Sequence, residues 1–233
     1  MAFRASGTAA SGSGNLTAGS PTGLAANDII ILAASADATG CTFGWPTGFT
    51  QLYNTSNASP DGQTFGLAWK RAAGGDSLAT TITGNGASSW VLRAFAWSGR
   101  DTGNPPIGST AATNTSANSS PTTVTSNGVT AVSGDDLAWF GMLDVTLATT
   151  SSTFTQPTGY TSQGTTIDSI DHFDVYGVAT KDNVSAGATG TVSGTLTHSG
   201  NAGWAAYLIR IPSAGGGGSA FDIPQLGMTG VGF

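Results

Sequence analysis

The chain has 233 residues, 35 of them glycine, and only 9% carry a charged side chain. That length suits one large all-β domain or two small ones and is enough to bury a core. With seven Lys and Arg against thirteen acidic residues, a net charge of −6 and no basic cluster beyond Lys70-Arg71, the composition argues against nucleic acid and anionic membranes as partners.

Low charge alone could mean disorder, but disordered chains also lack aromatics. Here six Trp, ten Phe and four Tyr sit in periodic stretches. Every acidic residue is Asp and none is Glu. Asp favours turns, and without Glu and with few cations the charged pairs of exposed helices cannot form. Strands and loops are therefore expected. Cys41 is the single cysteine, cannot form an internal disulfide and reads as a small buried side chain. The longest apolar run, Ile29 to Ala34, is too short to cross a bilayer. The opening Met-Ala-Phe-Arg-Ala-Ser-Gly has no apolar core, so no secretory signal is expected.

Taken in order, residues 4–22 are rich in Ser, Thr and Gly and suit thin, mostly exposed strands. Asn27-Asp28 then leads into the aliphatic strand Ile29-Ile30-Ile31-Leu32, with Asp28 as a turn residue at its start. Pro46-Thr47-Gly48-Phe49 is a turn, because Pro fixes φ and Gly permits positive φ. In the next strand Phe65, Leu67 and Trp69 alternate with Thr64, Gly66 and Ala68, which puts the large side chains on one face. Gly74-Gly75-Asp76 marks a turn. The strand after it carries Trp90, Leu92 and Ala94 on one face and Val91, Arg93, Phe95 and Trp97 on the other. Bulk on both faces predicts a central strand covered on both sides or lying at an interface.

The same blocks then recur. Residues 108–127 repeat the Ser/Thr-rich opening. Asp135-Asp136-Leu137-Ala138-Trp139-Phe140 echoes the block from Asn27, with Asp136 as the counterpart of Asp28. Pro157-Thr158-Gly159-Tyr160 echoes the turn, Tyr176-Gly177-Val178-Ala179-Thr180-Lys181 the alternating strand, and Gly203-Trp204-Ala205 the two-faced strand. Collinear matches of this kind identify an internal repeat. A single unit would leave an apolar face exposed, so two units facing each other are expected to form one antiparallel β-sandwich of jelly-roll character. The expected division is a first β-repeat over 1–106, a second over 107–212, a Gly-rich hinge over 213–219 and an apolar docking arm over 220–233. In the arm Phe221, Ile223, Leu226, Met228, Val231 and Phe233 are the expected contacts with a neighbouring subunit.

No catalytic, metal or cofactor residues are expected. The only histidines are His172 and His198, and no Gly-x-Ser-x-Gly elbow is present. Asp168, Asp171 and Asp174 with His172 form the densest acidic stretch. Oxygen ligands there could hold Ca²⁺, but the spacing matches no EF-hand loop and reads as a solvated loop entering a strand. Trp45, Tyr53 and Tyr160 lie in or beside the two turn blocks; they either plug the core edge or stack on sugar faces.

The Asn-Asp step into an aliphatic strand, the Pro-Thr-Gly-aromatic turn, the strand ending in Lys70 or Lys181 and the Trp-containing strand together resemble the duplicated sandwich modules of tailed-bacteriophage virion proteins and some bacterial surface proteins. The resemblance covers residues 3–212. It implies a non-enzymatic structural role, with a capsid decoration or cement protein favoured, located on the virion after assembly in the host cytoplasm. The implied partners are the major capsid protein and copies of the chain itself, as a trimer. A head or tail fibre subunit and a carbohydrate-binding adhesin module are the alternatives.

Overall fold

The computed structural model describes residues 2–57, 62–84, 89–118, 120–167 and 174–214, and every regular element among them is a strand. The first unit contributes β1 (Phe3–Ser6), β2 (Ala10–Gly12), β3 (Leu16–Thr17), β4 (Ile29–Ala36), β5 (Thr42–Gly44), β6 (Thr50–Asn57), β7 (Gln63–Arg71), β8 (Ala79–Thr83) and β9 (Trp90–Trp97). The second contributes β10 (Ile107–Gly108), β11 (Ala112–Asn118), β12 (Thr122–Ser126), β13 (Thr130–Ala131), β14 (Asp136–Leu147), β15 (Phe154–Thr155), β16 (Thr161–Ile167), β17 (Asp174–Lys181), β18 (Gly187–Ala188), β19 (Val192–Leu196) and β20 (Ser199–Ile211).

Each unit builds one large antiparallel sheet. The order is β1-β9-β4-β7-β6 in the first and β10-β20-β14-β17-β16 in the second, with β2 and β11 also paired to β9 and β20. Each adds a small sheet, β3-β8-β5 and β12-β19-β15, and the second unit has an extra pair, β13-β18. The sheet orders thus match strand for strand, which establishes the duplication. Within each unit the first and last strands pair, as do the ones inside them, the nesting that a jelly roll uses. Its innermost pair is missing, however: β6 and β16 join the large sheets beside β7 and β17 instead of pairing with β5 and β15. Among the described residues no pairing closes the sheets into a barrel.

The apolar side chains fall into three cores. Ile30, Leu32, Trp90 and Leu92 face Leu16 and Phe43 of the first unit's small sheet. Leu137, Trp139, Ala206 and Leu208 face Val124 and Leu196 of the second's. Between the units, Ile29, Ile31, Phe65, Leu67, Phe95 and Trp97 meet Phe140, Met142, Tyr176, Val178, Tyr207 and Ile209. The order is therefore small sheet, large sheet, large sheet, small sheet. The single sandwich expected from the sequence corresponds only to the middle of this stack. The Ser/Thr-rich strands add the outer layers, because strands such as β12 and β19 bury alternate residues, Val124, Val192 and Leu196 among them, while those between are exposed or half-buried.

Alternation explains the placement. Phe65 and Leu67 are fully buried in the middle core and Trp69 packs at its edge, while Gly66 lies on the opposite face beneath Phe43 and Trp45. Strand β9 is covered on both sides, as its two bulky faces require. Each large apolar side chain moved from water in this way contributes about 1.5–3 kcal/mol.

The repeat match at β4 and β14 needs a correction of one residue. Ile31 faces the middle core and Leu32 the outer one; their counterparts by face are Ala138 and Trp139. Asp28 therefore corresponds to Asp135, not Asp136. Asp28 accepts the Ala25 N–H at 2.9 Å and Asp135 the Val132 N–H at 2.7 Å, the same turn in each unit. Asp136 is instead the first residue of β14, fully buried, and pairs with Arg100 at 2.9 Å. A slip of one residue reverses every side chain of a strand, so the core composition decides between the two alignments.

One end of the seam between the units is polar. Ser35 donates to Asp174 Oδ1 at 2.7 Å, and Gln63 Nε2 donates to the same carboxylate and to the Leu143 carbonyl. Arg93 reaches Thr166 at 3.0 Å. Asp174 is thus a buried inter-unit acceptor and not the solvated loop residue expected, because its strand begins at this position. Burial raises its carboxyl well above the usual carboxylate range. The bonds from Ser35 and Gln63 oppose that rise, and the neighbouring Asp144 and Asp37 add to it.

Candidate functional site

The two repeat turns build two clefts at corresponding positions. In each turn a hydrogen bond closes Pro to the aromatic: Phe49 N–H to the Pro46 carbonyl and Tyr160 N–H to the Pro157 carbonyl, both 3.0 Å. Gly48 and Gly159 occupy the third turn position with φ of 87° and 78°, a conformation that favours glycine and defines a type II turn. A lysine at the end of the adjacent strand lies over each aromatic ring, Lys70 over Phe49 at 5.9 Å and Lys181 over Tyr160 at 5.8 Å from the centroid. The far wall is the loop that follows the lysine strand.

The first cleft has a volume of about 780 Å³ and is lined by Trp45, Thr47, Lys70, Asp76, Ser77 and Thr81 among others. Trp45 is half-buried, tilted against Phe43 at 5.4 Å, and its indole N–H donates to Gln51 Oε1 at 3.1 Å. Lys70 forms an ion pair with Asp76 at 2.5 Å, and the other Asp76 oxygen accepts the N–H groups of Ala73 and Gly74 at 2.8 and 3.2 Å. Burial pushes the Asp76 carboxyl up, but Lys70 and these two N–H groups outweigh it and hold the group below its ordinary value.

The second cleft, about 710 Å³, is lined by Thr158, Tyr160, Lys181, Asn183, Ser185 and Thr191 among others. Its wall contains no carboxylate: Ala186, Gly187 and Ala188 stand where the first cleft has Gly74, Gly75 and Asp76. Backbone bonds fix that correspondence, since Ala72 N–H donates to the Asp28 carbonyl and Val184 N–H to the Asp135 carbonyl, both at 2.8 Å. Burial pushes the Tyr160 hydroxyl up to about 12, so it stays a donor at neutral pH.

Of the aromatics singled out in the sequence, Trp45 and Tyr160 therefore line the two clefts. Tyr53 does not. Its ring packs on Tyr207 of the other unit with centroids 4.1 Å apart, and its hydroxyl donates to the Ser109 carbonyl, so it ties the units together. The arm residues Phe221, Ile223, Leu226, Met228, Val231 and Phe233, and with them Asp168, Asp171 and His172, lie outside the described residues. His198 is buried, with Nε2 2.8 Å from the Thr122 hydroxyl, and burial lowers its pKa. Cys41 is buried as expected.

Among the described residues no three His, Cys or carboxylate side chains are placed to hold a metal ion, and no helix is long and apolar enough to cross a membrane. The residues that sequence reasoning missed are Lys70, Lys181 and Asp76. Their signal was present, since the lysine closes the alternating strand in both repeats while the Asp occurs in only one.

Comparison with protein-family models, with curated proteins and with solved structures gives no match.

Proposed function

We propose that this duplicated all-β module is a non-enzymatic structural protein of a tailed-phage virion, seated on the capsid as a decoration or cement subunit. Its partners in this reading are the major capsid protein and further copies of itself, in a trimer. The observation that carries the reading is the four-layer stack. The two units meet across one shared apolar core, and each covers its other face with a small sheet of weakly charged, hydroxyl-rich strands. Such a body suits a role in which shape and contact, not turnover, are the output.

Quantitative mass spectrometry of purified particles tests it. A copy number near that of the major shell protein is expected for a decoration subunit. A handful of copies per particle would move the chain to a head or tail fibre, and absence from particles would discard the virion reading. Removal of residues 220–233 is expected to abolish incorporation if the arm docks on a neighbour.

A second reading, a carbohydrate-binding module, is favoured by the paired clefts, each lined by one aromatic side chain, Trp45 in the first and Tyr160 in the second, beside hydroxyl side chains. Glycan-array binding that is lost in a Trp45→Ala, Tyr160→Ala double variant would support it. The two readings are compatible, since a displayed virion subunit can also hold a surface sugar.

A further inference from the structure

The two clefts share one frame and differ in charge. In the first, Lys70 is neutralised by Asp76, and that carboxylate also organises the loop behind it. In the second the wall carries the cation Lys181 and no anion. Lys181 is exposed and, among the described residues, has no carboxylate within ion-pair distance; its ammonium is held over the Tyr160 ring. Around it the side chains of Thr158, Asn183, Ser185 and Thr191 are exposed and not bonded to other described residues.

We infer that the second cleft binds the carboxylate of an acidic saccharide, with Lys181 as its counter-ion, whereas the first accepts only neutral ligands. This rests on the carbohydrate-binding reading. One lysine supplies a single point charge, and the wall offers neither an arginine fork nor a helix N-terminus, so a monoanionic carboxylate fits better than a phosphate. The remaining wall is hydroxyl and amide, which pairs with the hydroxyls of a sugar ring. Tyr160 acts here as a positioning residue, since its ring face carries the Lys181 ammonium and fixes where the charge sits.

The test is calorimetric titration of the full chain with paired ligands: sialyllactose against lactose, and tetraglucuronate against cellotetraose. At least one acidic member is expected to bind about tenfold tighter than its neutral partner. Lys181→Met is expected to erase that preference while leaving the melting temperature unchanged. Ala188→Asp, which supplies the carboxylate that the first cleft has, is expected to do the same. Equal binding of acidic and neutral partners, or a preference that survives Lys181→Met, would overturn the inference and leave the carbohydrate reading standing. Binding to none of the four sugars would remove both. A poly-aspartate peptide that competes as well as the acidic sugar would show a general anion site and overturn the saccharide assignment.

Discussion

The middle core and the two outer cores are built on different terms. In the middle, large residues of one unit meet large residues of the other, as where Phe95 meets Phe140 edge-to-face at 5.6 Å. In the outer cores each unit packs against its own small sheet, and there the units diverge. The first uses Phe43 with Trp90 at 5.7 Å, whereas the second stacks Phe154 on Trp139, 6° from parallel at 5.6 Å. The shared core is thus a joint between units, and the outer cores are private to each. The same frame can be kept while the private parts change, and the two clefts, which lie on the private side, show the result.

The sharpest way to break this comparison is Phe140→Ala. Phe140 is fully buried in the joint, so its loss is expected to cost about 3–5 kcal/mol and to lower one common melting transition for both units. Two separate transitions in calorimetry would show that the joint does not couple them. Next in size is Gly66→Ala. A methyl group there would lie 2.4 Å from the Phe43 ring, whereas at Gly177 it would lie 2.8 Å from Phe154. Losses of about 1–3 kcal/mol are expected for each, larger at Gly66, by urea denaturation.

Asp174→Asn acts in the opposite direction. A carboxyl raised by folding gives stability that is full below its unfolded value and lost as pH rises through its folded value. The wild type is therefore expected to lose stability as pH rises above the ordinary Asp value and through the raised folded value, where the amide variant does not, so the variant should be the more stable of the two above that range. Melting curves across that range would decide it. Asp76→Ala is expected to cost less, about 0.5–1.5 kcal/mol, because its partner Lys70 is partly exposed. The Asp76 carboxyl is lowered by folding, so its contribution is present above the ordinary Asp value and lost as pH falls through its folded value. The smallest effect is that of Lys181→Met on stability, within about 0.5 kcal/mol, since the side chain is exposed.

Much of the fold was legible wherever large and small residues alternate. Phe65, Leu67 and the two-faced strand from Trp90 declared their faces directly. The run Ile29 to Ala34 did not, because a strand buried on both sides is apolar at every position and has no alternation to fix its register. The cores that its residues face and the matching turns at Asp28 and Asp135 set it. The outer sheets were hidden for a different reason: their strands are short, and the few large buried residues, such as Phe43, Val124 and Leu196, stand singly among Ser, Thr and Gly, so their pattern resembles that of a polar loop. The clefts were half legible. The repeated turn and lysine could be seen, but the neutralising role of Asp76 depends on a loop folding back, which no spacing rule conveys.

The joint between the units also constrains how the two halves can change over generations. A substitution on the inner face of one half alters the wall against which the other is built, so inner positions must change in concert. Apart from Asp182, which accepts the Phe3 N–H of the other half at 3.4 Å, the turn and loop around each lysine pack on their own half, and a mutation there answers mainly to it. Duplication followed by this division of constraint leaves the lining of one cleft free to change while its twin is kept.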